Sequence, residues 1–279
     1  MMQKRLAVLG AGNMGGAIVR GALAAGLLQP GEVVVADPDE AKRGVWRSGP
    51  SPVDAVGTAA EAVGMLGADG VVLLATKPQV FGTVAAEVAG KMGGKMAVSI
   101  MAGKPTGVIA AALGGDGGGG VGSVRVVRVM PNLAVLTGRG MSAVCGGQGA
   151  TAADVAWVTR LFGSLGAVVE LPEDLFDAFT AVAGSGPGYV CLVVEALAAA
   201  GERVGLPGPV ARQMAEQTLI GTGSLLEREA VGAAVWRERV TSPGGTTAAG
   251  LRVLEGADVR GVFARAVEAA RDRGRELAG

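Results

Sequence analysis

The sequence contains no histidine. That removes the commonest general acid–base group and the commonest metal ligand. Any chemistry here must rest on hydroxyls, lysine, carboxylates, backbone dipoles or a cofactor. There are only two cysteines, Cys145 and Cys191. They are too few for a disulfide framework or a thiolate cluster, so a reducing compartment and no metal are expected. An excess of either charge is also missing, since 25 basic residues balance 25 acidic ones. A non-specific nucleic-acid binder normally carries a basic excess, so nucleic acid is not an expected partner. No targeting segment shows in "MMQKRLAVLGAG", which passes straight into a strand pattern. Apolar runs such as "YVCLVVEALAAA" contain a charge and fall short of the roughly 20 residues that span a bilayer. A soluble, cytoplasmic chain without a membrane partner is therefore expected.

What is present is a hydrophobic share of 49% against a charged share of 18% over 279 residues. That suffices for one large core or two ordinary ones. Short Val-rich runs fill the first 170 residues: "RLAVLG", "EVVVAD", "GVVLLAT", "KMAVSIM", "VRVVRVM", "MSAVCG" and "AVVEL". They are almost continuously apolar, as strands buried on both faces should be, and helical patterns separate the first five. This is the pattern of a mostly parallel, doubly wound α/β sheet of the Rossmann type. The glycine-rich "LGGDGGGGVGS" (113–123) is expected to be a surface insertion.

Near "ELPED" the strands stop. Helical patterns follow over 174–182, 187–204, 207–228, 232–239, 243–255 and 258–277. We therefore expect a dinucleotide-binding domain over 1–171 and an all-α domain over 172–279. The second domain is rich in Ala and Gly, which lets helices approach closely but leaves each with little apolar area to bury. Helix packing between subunits of a dimer is the expected solution, with a monomeric bundle as the alternative.

The loop "LAVLGAGNMGGAI" places Gly10-x-Gly12-x-x-Gly15 after a strand and at the start of a helix. The first glycine allows the tight turn, the second lets a pyrophosphate approach, and the third lets helix and strand pack closely. The helix N-terminus adds free N–H groups and the positive end of its dipole. Leu9, Gly10, Ala11, Gly12, Asn13 and Met14 are thus candidate cofactor residues. A purely structural turn, or a methyltransferase-type loop, is the competing reading. Asp37 ends the next strand, where it would accept from a ribose hydroxyl and repel a 2′-phosphate. This leans toward NADH, although Arg43 and Arg47 could offset it. Ala75, Thr76, Lys77 and Pro78 end the following core strand and should line the nicotinamide side. Lys77 could donate a proton, but a solvated charge or a phosphate contact is the commoner use of such a lysine.

"VTSPGGTT" (240–247) reads as a helix start, with Ser242 as cap and Pro243 at the first helical position. Gly244 and Gly245 are poor helix formers that would leave the first-turn N–H groups bare. The stretch is either an anion seat or a helix start whose glycines allow close packing. Glu173 reads as a charge at a helix N-terminus.

These blocks, together with "ATKPQ" (75–79), "SIMAG" (99–103), "RVMPN" (128–132), "DAFTAVAGSGPGYV" (177–190) and "QTLIGTGSLL" (217–226), resemble pyrroline-5-carboxylate reductase almost end to end. The resemblance implies a Rossmann domain followed by a helical dimerisation domain. It also implies reduction of 1-pyrroline-5-carboxylate, an imino acid, to L-proline by NADPH or NADH, the last step of proline biosynthesis. Homodimers, in places assembled into a decamer of five dimers, would share the active site. Within it, Ser242, Gly245 and Thr246 would hold the substrate carboxylate, and Thr247 would place its hydroxyl near the ring nitrogen as the catalytic candidate. Glu173 matches a glutamate near the substrate, and Ala102 matches the cofactor side. A cyclic imine that protonates near neutral pH needs little general-acid help, which suits a chain without histidine. Leu133-Ala134 stand where the family usually has Thr-Pro, and Ala183 stands for a serine. A reductase of a related cyclic imine and a non-catalytic dinucleotide sensor are the alternatives.

Overall fold

The computed structural model describes residues 3–114, 124–147, 149–229 and 231–278. Apart from Leu113 and Gly114, the glycine-rich stretch expected as an insertion lies outside the described residues. The chain divides into two compact units, Met1–Gly184 with Arg271–Gly279, and Ser185–Ala270.

The strands of the first unit are β1 (Lys4–Leu9), β2 (Val33–Ala36), β3 (Asp54–Val56), β4 (Leu66–Leu74), β5 (Met96–Ser99), β6 (Arg125–Pro131), β7 (Gly140–Gly146) and β8 (Gly166–Glu170). Its helices are α1 (Asn13–Ala24), α2 (Glu40–Ser48), α3 (Ala59–Gly64), α4 (Phe81–Val88), α5 (Thr106–Ala112), α6 (Ala152–Gly163) and the single turn α7 (Phe176–Phe179). The sheet runs β3-β2-β1-β4-β5-β6-β7-β8. All neighbours pair in parallel except β6 with β7, where Pro131 faces Ser142 in an antiparallel register. Strand direction of travel across the sheet reverses between β1 and β4, the switch point at which such sheets bind ligands.

Period-two alternation sends β1 into two cores. Leu6 and Val8 pack with Ile18, Val19 and Phe162, while Ala7 and Leu9 pack with Val63, Phe81 and Ile109. Both faces are therefore covered, and the Val-rich runs need no polar side. Each fully buried large aliphatic or aromatic side chain contributes about 1.5–3 kcal/mol. Two strands depart from expectation. β3 went unforeseen because three residues behind "SGPSP" carry too little pattern. β4 begins four residues earlier than its apolar run, through a register irregularity between Lys4 and Leu6 of β1.

The helix expected over 174–182 is broken into a 3-10 turn (Glu173–Leu175), α7 and a π turn (Thr180–Gly184). Thr180 Oγ1 donates to the Phe176 carbonyl at 2.7 Å, the back-bonding that loosens a helix.

The second unit holds α8 (Gly186–Arg203), α9 (Gly208–Arg228), α10 (Ala233–Arg239), α11 (Thr246–Gly256) and the first part of α12 (Val259–Ala278). A Cβ on Gly201 would lie 3.0 Å from Ala211 Cβ, so α8 and α9 cross at small residues. Among the described residues only Ala211 and Ala215 of this unit are buried. Leu192, Val204, Ile220 and Val253 are each at least 60% exposed. Along α12, Val262 and Phe263 are exposed too.

The expectation that the apolar runs are too short to span a bilayer does not hold. The helical run Glu173–Arg203 has 31 residues and a mean hydropathy of 1.4 over its best window. By length and composition alone it could cross a membrane. The reading missed this because helical residues on either side of "YVCLVVEALAAA" extend the run.

Candidate functional site

Gly10 follows β1 with φ +108°, a conformation L side chains rarely adopt. Its amide donates to the Ala36 carbonyl at 2.9 Å, and Leu9 O accepts from Ala75 N at 2.9 Å. These bonds lock the loop to the ends of β2 and β4. A Cβ on Gly10 would meet Ala75 O at 2.7 Å, and one on Gly15 would meet Gly10 O at 2.3 Å. At Gly12 a Cβ would meet nothing within 4 Å. Gly12 is also the N-cap of α1 and offers no side-chain cap, and the first turn carries no acid. Space, free N–H groups and a positive dipole end thus coincide at Gly12, Asn13 and Met14. This is what a pyrophosphate needs, so the residues fit a dinucleotide.

Asp37 is 6% exposed. Its Oδ2 accepts from Ala11 N at 3.0 Å and its Oδ1 from Asp39 N at 3.0 Å. The carboxylate therefore ties the glycine loop to the end of β2. Beyond β4, the buried Thr76 Oγ1 has no protein partner among the described residues, an orphaned polar atom beside the loop. Lys77 is exposed and Pro78 half-buried. Ala102 is exposed in the turn after β5, the neighbour of β4. The structure thus brings Leu9–Met14, Asp37, Ala75 and Thr76 together, with Lys77, Pro78 and Ala102 at the same strand ends.

In the second unit Ser242 is not the cap of a helix. The Ser242 carbonyl accepts from Gly245 N at 3.0 Å, and Gly244 has φ +71°. Pro243 and Gly244 occupy the central positions of a β-turn with the type II signature. α11 begins only at Thr246, with Gly245 as N-cap and no side-chain cap. Proline suits position i+1 of that turn as well as it suits a first helical turn, and the following glycine decides for the turn. The consequence favours an anion seat: the first turn of α11 carries no acid, and Ser242, Thr246 and Thr247 are exposed.

Glu173 sits in a different setting. Its Oε1 accepts from Thr106 N at 2.8 Å and from Arg128 Nη1 at 3.0 Å, and its Oε2 from Thr106 Oγ1 at 2.8 Å. The Arg128 guanidinium lies 4.7 Å from the Phe176 ring centroid. Both carboxylate oxygens brace α5 and β6 against the segment that opens α7. The sequence reading missed Arg128 and Thr106. An arginine in the middle of a Val-rich strand was the available signal, because a buried guanidinium demands a carboxylate. The same cluster sets Cys145. Burial, and secondarily the Glu173 charge, push its thiol up to about 11. Cys145 should stay unlabelled by a maleimide at pH 7.5 until the protein is denatured, because the thiolate is the nucleophile. Rapid native labelling, read by mass spectrometry, would contradict the buried setting.

Asn132 shows how the missing Thr-Pro is absorbed. Its Oδ1 accepts from Ala134 N and Met141 N at 3.2 and 3.1 Å, and its Nδ2 donates to Ala183 O at 3.0 Å. The loop after β6 is held without the proline.

Comparison with known proteins identifies the family. The family described as pyrroline-5-carboxylate reductase dimerisation matches residues 173–277. The family described as NADP oxidoreductase coenzyme F420-dependent matches residues 5–103. The chain is 41% identical to a pyrroline-5-carboxylate reductase of Thermus thermophilus, over 98% of each. Among solved structures, a pyrroline-5-carboxylate reductase from Coxiella burnetii superposes with a TM-score of 0.89 at 27% identity, covering 100% of both chains. A Plasmodium falciparum pyrroline carboxylate reductase with NADP bound superposes with a TM-score of 0.83 at 25% identity, again over 100% of both. With full-length identity at that level, a glycine loop at the switch point and a helical unit of matching kind, the chain belongs to the pyrroline-5-carboxylate reductase family.

Proposed function

We propose that the protein reduces 1-pyrroline-5-carboxylate to L-proline, the last step of proline biosynthesis, as a cytoplasmic enzyme. The observation that carries this reading is the presence in one chain of an uncapped, glycine-opened nucleotide loop and of a second uncapped helix start flanked by hydroxyls. When bound, NADPH or NADH supplies the hydride that the C=N carbon accepts. The chain's own residues bind, orient and polarise. Leu9–Met14 and Asp37 hold the nucleotide, and the strand ends at Ala75, Thr76, Lys77, Pro78 and Ala102 shape its nicotinamide side. The first-turn N–H groups of α11 at Gly245 and Thr246, with Ser242, hold the substrate carboxylate through the helix dipole. Thr247 offers its hydroxyl to the ring nitrogen, whose own basicity lets it carry the proton. Glu173 acts through Arg128 and Thr106 and positions the segment after β8.

The exposed apolar helices of the second unit are the surface on which copies of the chain associate. We read the product as a homodimer, with a decamer of five dimers as the larger assembly. This association also accounts for the exposed face of α8 without a membrane. The test is turnover. Purified protein should oxidise NADH or NADPH only when pyrroline-5-carboxylate is present, and Thr247→Ala should lower kcat by up to about tenfold, the loss of one neutral hydrogen bond. Nucleotide binding without turnover of any cyclic imine would instead favour a sensor. Turnover of another imine alone would favour a related reductase.

A further inference from the structure

The end of β2 holds a charge arrangement that nothing in the family match explains. Three cations, Lys42, Arg43 and Arg47, follow Asp37 on α2, where a 2′-phosphate would need them. Each is already engaged. Lys42 Nζ lies 3.5 Å from Asp37 Oδ2. Arg47 Nη1 pairs with Glu40 Oε1 at 2.7 Å, and its Nε and Nη2 donate to the Ala55 carbonyl at 3.3 and 3.2 Å. Arg43 Nη2 pairs with Glu40 Oε2, and its Nη1 donates to the carbonyls of Asp37 and Pro38 at 2.7 and 2.8 Å. Both terminal nitrogens of Arg43 are thus committed, to three oxygens in all, and its Nε is buried, whereas a phosphate-binding arginine presents free N–H groups.

Glu40 is the residue that makes this arrangement hostile to phosphate. Its two oxygens take one arginine each, and both pairings hold its carboxyl below the usual carboxylate range. It therefore stays negative throughout the neutral range. Exposed ion pairs are worth little in stability, but here they act on choice of ligand. A 2′-phosphate would have to displace Glu40 from both arginines while standing beside Asp37. A ribose with a free 2′-hydroxyl faces no such barrier, because Asp37 keeps lone pairs beyond the two used by Ala11 N and Asp39 N.

We infer that Asp37 and Glu40 together make this chain select NADH over NADPH, Asp37 by receiving the ribose and Glu40 by withholding Arg43 and Arg47 from a 2′-phosphate. The inference rests on reading the Gly10–Gly15 loop as a dinucleotide site. The relative with NADP bound shares only 25% identity, so the preference stands on this chain's own residues. Specificity of this kind is a difference of affinities built by a repulsive element.

The experiment is equilibrium titration of the full-length protein with NADH and with NADPH, followed by nicotinamide fluorescence without imine, in the wild type, Glu40→Gln, Asp37→Ser and the double variant. The wild type should bind NADH at least about tenfold more tightly than NADPH, since juxtaposed like charges cost several kcal/mol. Glu40→Gln should tighten NADPH more than it changes NADH, and the double variant should close or reverse the gap. 2′-AMP serves as a second probe: it should bind the double variant more tightly than the wild type, and the gain should shrink as salt rises. A wild type that binds both nucleotides equally, or prefers NADPH, overturns the inference. So does a Glu40→Gln ratio identical to the wild type. Failure of the wild type to bind either nucleotide overturns the dinucleotide reading itself, a separate outcome.

Discussion

Gly15→Ala should weaken nucleotide binding by about 100-fold, roughly 2.7 kcal/mol, without unfolding the protein. The added Cβ would stand 2.3 Å from Gly10 O, 3.1 Å from Ala75 Cβ and 3.3 Å from Val8 Cγ1. The first of these neighbours is backbone, so no rotamer change relieves the overlap. Either α1 moves away from the sheet or the Gly10 loop yields. Both move the free N–H groups of α1 relative to the strand ends at Ala75 and Asp37. Overpacking of this order costs about 1–3 kcal/mol, and the loop that must deform is the one proposed to hold the pyrophosphate. Gly163→Ala is the control, since nothing lies within 4 Å of the added atom. Nicotinamide fluorescence titration reads the affinity and circular dichroism the fold. Wild-type affinity in Gly15→Ala would show that the pyrophosphate rests elsewhere.

Glu173→Ala should destabilise the first unit by about 3 kcal/mol, because it leaves a buried guanidinium without its counter-charge. Arg128 is 5% exposed, and its Nε already lacks a partner. Glu173 supplies its charge partner, and Thr106 N and Oγ1 lose their acceptors at the same time. For a unit of this size the change corresponds to a fall in Tm of about 10 °C. Replacing both members, Arg128→Met with Glu173→Met, should recover most of the loss, since an apolar pair of similar volume leaves no uncompensated charge. The two single variants and the double variant form a cycle that isolates the pair. A Glu173→Ala protein with unchanged Tm would show that water satisfies Arg128.

What the sequence disclosed, and what it withheld, divides along the range of the interactions involved. Val33–Ala36 and the stretch 71–74 of β4 are legible because a strand buried on both faces must be apolar at every position. The Gly10–Gly15 loop is legible because steric demands fix glycine at three places, and the contacts at Gly10 and Gly15 show those demands. "SPGG" was legible as punctuation but not as a particular turn, since Ser-Pro opens helices and Pro-Gly fills type II turns. The partners of Glu173 were out of reach: Arg128 lies 45 positions away and Thr106 lies 67, and no local pattern encodes a pairing made by the sheet. Asp37 stands out in the sequence only as a candidate ribose acceptor. Its second job, fastening Ala11, needs the folded loop to be seen. The role of Glu40 belongs to the same class, because it depends on two arginines one and two turns along α2 reaching a common carboxylate.

The helical unit buries only Ala211 and Ala215 among its described residues, which gives dilution the force of a denaturant. A unit with so little interior has almost nothing to hold it against the chain entropy of about 1–2 kcal/mol per ordered residue. With another copy completing that interior, as proposed above, its folding becomes second order in protein, and its stability carries a concentration as well as a temperature. Newly made chains then gain a complete helical unit only as their number rises.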